Sequence, residues 1–192
     1  MYLVINKETH DIEEFIVFWS NCYKYKLESY YTENIDIELS NDSLFNLFIW
    51  KNGMNFQKNV NKYNSFHYNV ISIYDKVKLW KTDFKIDDYL EISEIKEWNN
   101  IVWKIFLLHC FRPNEFPIYD QHVHRAFDFI INGNYEKPEF YYSTNKIQEK
   151  IEFYKNDYIP FIKDLSMKSG RNLKQIDEAL VTFGKFLNDY NY

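Results

Sequence analysis

Between Phe116 and Phe127 the chain reads Phe-Pro-Ile-Tyr-Asp-Gln-His-Val-His-Arg-Ala-Phe. A carboxylate, two imidazoles and a guanidinium (Asp120, His122, His124 and Arg125) fall within six residues. The run follows a proline-marked loop, and its spacing opens a helix. An aspartate at that junction is a natural N-cap, because its carboxylate accepts the free backbone N–H groups of the first turn. Such bonds hold the group ionised and fixed, with an oxygen left to face a cavity. The pattern Asp-x-His-x-His also suggests a metal. Residues two apart on a helix point to different faces, however, and do not easily share one ion, whereas in a strand they would. Since 121–131 reads as helix, no metal site is expected, and His122 is expected to brace the turn. No cofactor motif is present.

The elements that must position these residues are helical. Apolar residues recur at helical spacing over His10–Tyr31 (Ile12, Phe15, Ile16, Trp19, Tyr23, Leu27) and over Phe66–Lys81. Asn34–Ser40 reads as an acidic connector. Asp42 or Ser43 would then cap a short helix over Leu44–Asn52, closed by Gly53. Glu94–Phe111 is apolar nearly all round, which places it centrally in a bundle, and Lys104 is its only fully charged residue after Trp98. Asp120–Asn132 is the next helix, closed by Gly133. Thr144–Ser169 is a long helix that Pro160 should kink or divide. Asn172 with Gln175 resembles a capping box. It opens a last helix with an inner face of Leu173, Ile176, Ala179, Leu180, Phe183 and Leu187. Gly184, in the middle of that helix, marks close contact with a neighbour. The expectation is an all-α bundle, one helical domain over 1–192, with 1–93 and 94–192 as candidate lobes.

Asp120, His122, Val123 and Arg125 match the Asp-x-His-Val-x-Arg run at the active-site turn of the helix-hairpin-helix DNA glycosylases. The segment resembles that superfamily, and the oxoguanine-type members in overall plan. The match covers about a dozen residues strongly. The resemblance implies that Asp120 is the catalytic carboxylate, stabilising cationic character on the sugar as the base leaves and activating the nucleophile. It implies a base flipped into a pocket walled by aromatics, for which Phe45, Phe48, Trp50, Trp98 and Trp103 are candidates beside ordinary core packing. His122 and Arg125 would contact substrate, and Arg125 could reach a phosphate or pair with an acid. Two differences stand out. The family's Gly-x-Gly hairpin, whose amides grip a phosphate, corresponds here to Glu97-Trp98-Asn99, which has no glycine and so speaks against that grip. The lysine of the bifunctional members, which forms a Schiff base, falls at Ile101 or Val102, with Lys104 about one turn further on. A desolvated Lys104 would be a nucleophile, whereas one that snorkels to the surface or pairs with an acid would not.

Composition bounds the rest. The 192 residues suit one well-buried core, and 17 Tyr, 17 Phe and 5 Trp can close it with few aliphatics. Only 4 Gly and 4 Pro punctuate the chain, which favours long helices over tight-turn β architectures. The first residues lack a secretory signal, no apolar window approaches a membrane helix, and Cys22 and Cys110 have no motif spacing. A reducing, cytoplasmic setting with two buried thiols is expected. The net charge of -5 argues weakly against nucleic acid. Yet Lys51–Lys85 carries seven lysines against two aspartates, a stretch that could meet DNA or simply be solvated surface. Two functions follow as expectations. One is an N-glycosylase excising a modified base through Asp120, with lyase chemistry if Lys104 lines the pocket. The other is a non-catalytic helical module binding a nucleotide, nucleic acid or protein.

Overall fold

The computed structural model describes residues 11–35, 38–53, 70, 72, 74, 101–134 and 147–189. Every regular element among them is helical. They are α1 (Ile12–Asn21), α2 (Glu28–Thr32), α3 (Asn41–Asn52), α4 (Ile101–Phe111), α5 (Gln121–Asn132), α6 (Ile147–Phe153), a π-helical turn (Tyr154–Tyr158), α7 (Ile159–Ser169) and α8 (Leu173–Asp189). The all-α expectation holds. The chain forms two compact units, one of residues 1–24 with 117–192 and one of residues 25–116. The division falls at 24/25 and 116/117 rather than near 93, because α1 packs along α8 and so belongs with the C-terminal helices.

In the first unit α8 lies against both α1 and α5. Rings stand where aliphatics usually would. Phe183 meets Phe15 edge-on at 5.2 Å, Trp19 at 5.1 Å and Phe129 at 5.5 Å between centroids, offset geometries that suit ring quadrupoles. The α8 capping residue is the expected one, with Asn172 Oδ1 accepting from the Gln175 amide at 2.9 Å. Its inner face is wider than the apolar pattern indicated, since Asp177, Val181 and Gly184 are buried as well. Pro160 lies in the first turn of α7, directly after the π-helical turn. A proline inside an α-helix has no N–H to give and its ring strikes the carbonyl four residues back. Widening the preceding turn relieves that conflict and lets the rod continue from Ile147 to Ser169.

The second unit is built from α2, α3 and α4, with α3 against α2 and α4. Helix α3 starts earlier than the sequence suggested. Ser40, not Asp42 or Ser43, is the cap, and Ser43 completes a reciprocal box with it. Gly53 closes the helix at φ 67°, where a side chain would be strained. Phe48 packs edge-on with Phe106 and parallel to Trp103, at 5.1 and 5.6 Å. Helix α4 is buried nearly all round, as its sequence predicted.

The helix expected over His10–Tyr31 is broken at 22–27. The amides of Cys22 and Tyr23 close back on Trp19 and Ser20 in short turns. Tertiary partners override the local periodicity here. The Tyr23 ring lies under the Lys174 ammonium at 5.0 Å, whereas the Tyr25 hydroxyl donates to the Trp50 carbonyl at 2.6 Å. Cys110 is buried, but Cys22 is exposed at the end of α1 and not buried as expected. Of the helix expected over Phe66–Lys81, Val70, Ser72 and Tyr74 are helical. The remainder of it lies outside the described residues, as do Trp98 and the hairpin stretch around it. Among the described residues no helix is long and apolar enough to cross a membrane.

Candidate active site

The segment 117–120 has no regular secondary structure and leads into α5. Asp120 is the N-cap in β backbone geometry. Its Oδ1 accepts the His122 amide at 2.8 Å and the Val123 amide at 3.1 Å. These are two of the four N–H groups that no helix can satisfy internally. The carboxylate is thus aimed by the backbone, and Asp120 remains partly exposed.

The residues ahead of it are fixed from behind. Pro117, Ile118 and Tyr119 are buried. Buried backbone outside regular structure needs partners for its carbonyls. The Tyr154 hydroxyl donates to the Pro117 carbonyl at 2.8 Å, and the Tyr158 hydroxyl to the Ile118 carbonyl at 3.0 Å. Both tyrosines come from the π-helical turn and stack on each other at 5.9 Å. Burial pushes the Tyr158 hydroxyl well above its ordinary range, and the charges of Asp177 and Asp120 add to that shift. It stays a donor at any ordinary pH. The buried Asp177 of α8 therefore contributes to the electrostatics of the Asp120 turn.

His122 and His124 have separate surroundings. The His124 ring is buried, shares a hydrogen bond with the Tyr119 hydroxyl through Nδ1 at 2.7 Å, and packs edge-on with Phe153 at 5.1 Å. Burial lowers its pKa to about 4, although the nearby Asp128 opposes the shift. His124 is therefore neutral near pH 7. His122 is partly exposed, and its Nδ1 lies 3.4 Å from the Arg125 guanidinium. Among the described residues no group of three His, Cys, Asp or Glu is placed to hold a metal.

Arg125 was expected to contact substrate, yet only 1 % of it is exposed. Its Nη1 donates to the Gly184 carbonyl of α8 at 2.9 Å. At Gly184 the two helices approach so closely that a methyl group would overlap the His122 carbonyl.

Within the second unit Lys104 is 3 % exposed, and loss of solvation lowers its pKa. Burial rather than snorkelling is the observed state. Trp103 is half-buried on Phe48, while Phe45, Phe48 and Trp50 are core residues. Trp50 donates through Nε1 to Glu28 Oε2 at 2.9 Å. His109 has both ring nitrogens engaged. Nδ1 donates to the Phe116 carbonyl at 2.8 Å, which can only accept, and Nε2 is hydrogen-bonded to the Tyr31 hydroxyl at 2.7 Å.

A groove of about 630 Å³ lies along α5, α6 and the π-helical turn, lined by His124, Asp128, Gln148, Glu149, Glu152, Phe153, Asn156 and Asp157. Four of these are carboxylates, so the groove repels phosphate, and Asp120 is not among its lining residues. Of the lysines in the basic stretch, only Lys51 is among the described residues, with its ammonium 5.8 Å from the centre of the Phe106 ring.

The sequence indicates Asp120 as the helix cap and a close contact at Gly184, and both are present. Sequence reasoning missed Tyr154, Tyr158 and Asp177. The tyrosines did carry a signal: they are spaced i, i+4 just ahead of Pro160, so both reach one side of a disturbed helix. Models of known families, characterised proteins and solved structures give no match to this chain.

Proposed function

We propose that the protein is a DNA-glycosylase-like enzyme that excises a modified base, with Asp120 as its catalytic carboxylate. The observation that carries this reading is a partly exposed carboxylate aimed by two backbone amides at the start of a helix, within the Asp-x-His-Val-x-Arg run. Ordinary caps need no such support. Here the preceding carbonyls are pinned by buried hydroxyls and the following turn is pressed against α8. In the reaction the N-glycosidic bond breaks and its electron pair leaves with the base. The Asp120 carboxylate stabilises the cationic sugar and takes the proton of the water that attacks its anomeric carbon. The leaving base is protonated from solvent.

The missing glycine hairpin and the acidic groove favour a different reading, a helical module that binds without catalysis. Incubation of the protein with duplexes carrying single oxidised, alkylated or deaminated bases separates the two. Strand breaks that appear after alkali mark base excision, and breaks without alkali mark lyase chemistry. Intact strands across the panel refute the enzyme reading.

A further inference from the structure

Arg125 is the largest fully buried side chain of the described residues. It has no acidic partner among them, and its Nε lacks a hydrogen-bond acceptor. A guanidinium is always charged, and burying it without a counter-charge is unfavourable. What it does make is the bond from Nη1 to the Gly184 carbonyl, with the longer approach to His122 Nδ1. Gly184 in turn touches the His122 backbone, where no Cβ would fit. The His122 amide is one of the two donors to Asp120 Oδ1.

These contacts form one chain, from α8 through Gly184 to His122 and Arg125, and from the His122 amide to the carboxylate. We propose that Arg125 and Gly184 are positioning residues that set the direction of the Asp120 carboxylate, and that Arg125 does not contact substrate. The inference rests on Asp120 being the functional acid. Its physical basis is that a helix cap alone frays, because the first turn has the fewest bonds holding it. Pinning that turn from a second helix removes the fraying. A glycine at the crossing allows the approach, and the long, planar arginine spans from α5 to a carbonyl that lies in the middle of α8.

Amide hydrogen exchange reads this directly and needs no activity. In Arg125→Lys and Arg125→Met, the His122 and Val123 amides should exchange about tenfold faster or more than in wild type, while those of Ile176 and Leu180 keep their wild-type rates. Gly184→Ala should do the same, and where it fails to fold the arginine pair still decides. Unchanged rates at His122 and Val123 in Arg125→Met would overturn the proposal. So would a uniform rise at all four amides, which is a loss of global stability. Single-turnover base release on the panel duplexes is the second readout. Arg125→Lys should slow the chemical step and leave half-saturation by DNA unchanged, whereas weaker binding with an unchanged step would return Arg125 to the substrate. If wild type releases no base, the glycosylase reading fails and the exchange result still judges the clamp.

Discussion

Arg125 and Lys104 are both basic and both buried, yet the chain treats them differently. Arg125 is the fifth residue of α5 and directs its guanidinium at a backbone carbonyl of another helix. Lys104 sits in α4, and loss of solvation makes its charge unfavourable. The guanidinium cannot give up its proton in water, so its burial is tolerable only where donors find acceptors. The ammonium can, and burial lowers its pKa. One buried cation is bonded to a neighbouring helix and the other is held where its charge is disfavoured.

The contrast can be tested by substitution, starting with the aromatic packing of the unit to which Lys104 belongs. Phe106 is fully buried against Phe48 and Trp50. Phe106→Ala should lose about 3–5 kcal/mol in urea unfolding, and a loss below about 1 kcal/mol would mean that the second unit collapses around the gap. The next effect belongs to the first unit and depends on pH. His124 has a folded pKa near 4 against an ordinary 6.5, so the unfolded chain binds more protons between those values. Stability should fall as pH drops from about 6.5 to about 4 and change no further below, by roughly 3 kcal/mol in total. Unfolding curves of His124→Gln across the same range should lack that component.

Methionine at each basic position then compares the two directly. Arg125→Met removes the Nη1 bond to the Gly184 carbonyl and should destabilise by about 1–2 kcal/mol at pH 7. Lys104→Met removes a disfavoured charge and should raise the melting temperature at pH 7, with the advantage shrinking as pH rises toward the ordinary lysine range and wild-type Lys104 loses its proton. Equal signs for the two variants would break the comparison. The smallest effect is at a neutral cap. Ser40→Ala removes the bond to the Ser43 amide and should cost about 1 kcal/mol, with no consequence for any activity.

Much of the plan was legible in the sequence because it rests on local rules. Gly53 and Gly133 end their helices in left-handed geometry, and Asp120 and Asn172 cap theirs, as residue type and position indicate. The break after Asn21 was not legible, since Tyr23 and Leu27 continue the helical spacing and only their distant partners stop it. The role of Arg125 was hidden for a similar reason. An arginine in a motif suggests a ligand, and only the approach of α8 at Gly184 reveals an internal carbonyl as its acceptor. Asp177 broke an otherwise apolar face, and a periodicity reading passes over an isolated acid.

The central claim is that the Asp120 carboxylate performs base excision. Single-turnover base release by wild type, Asp120→Asn and Ser40→Ala on the responsive damaged duplex tests it most directly. Asparagine retains an oxygen for the His122 and Val123 amides, so the turn survives while the charge is lost. The account predicts a fall of about 10²-fold or more for Asp120→Asn, with Ser40→Ala matching wild type. Base release by Asp120→Asn at the wild-type rate would contradict it.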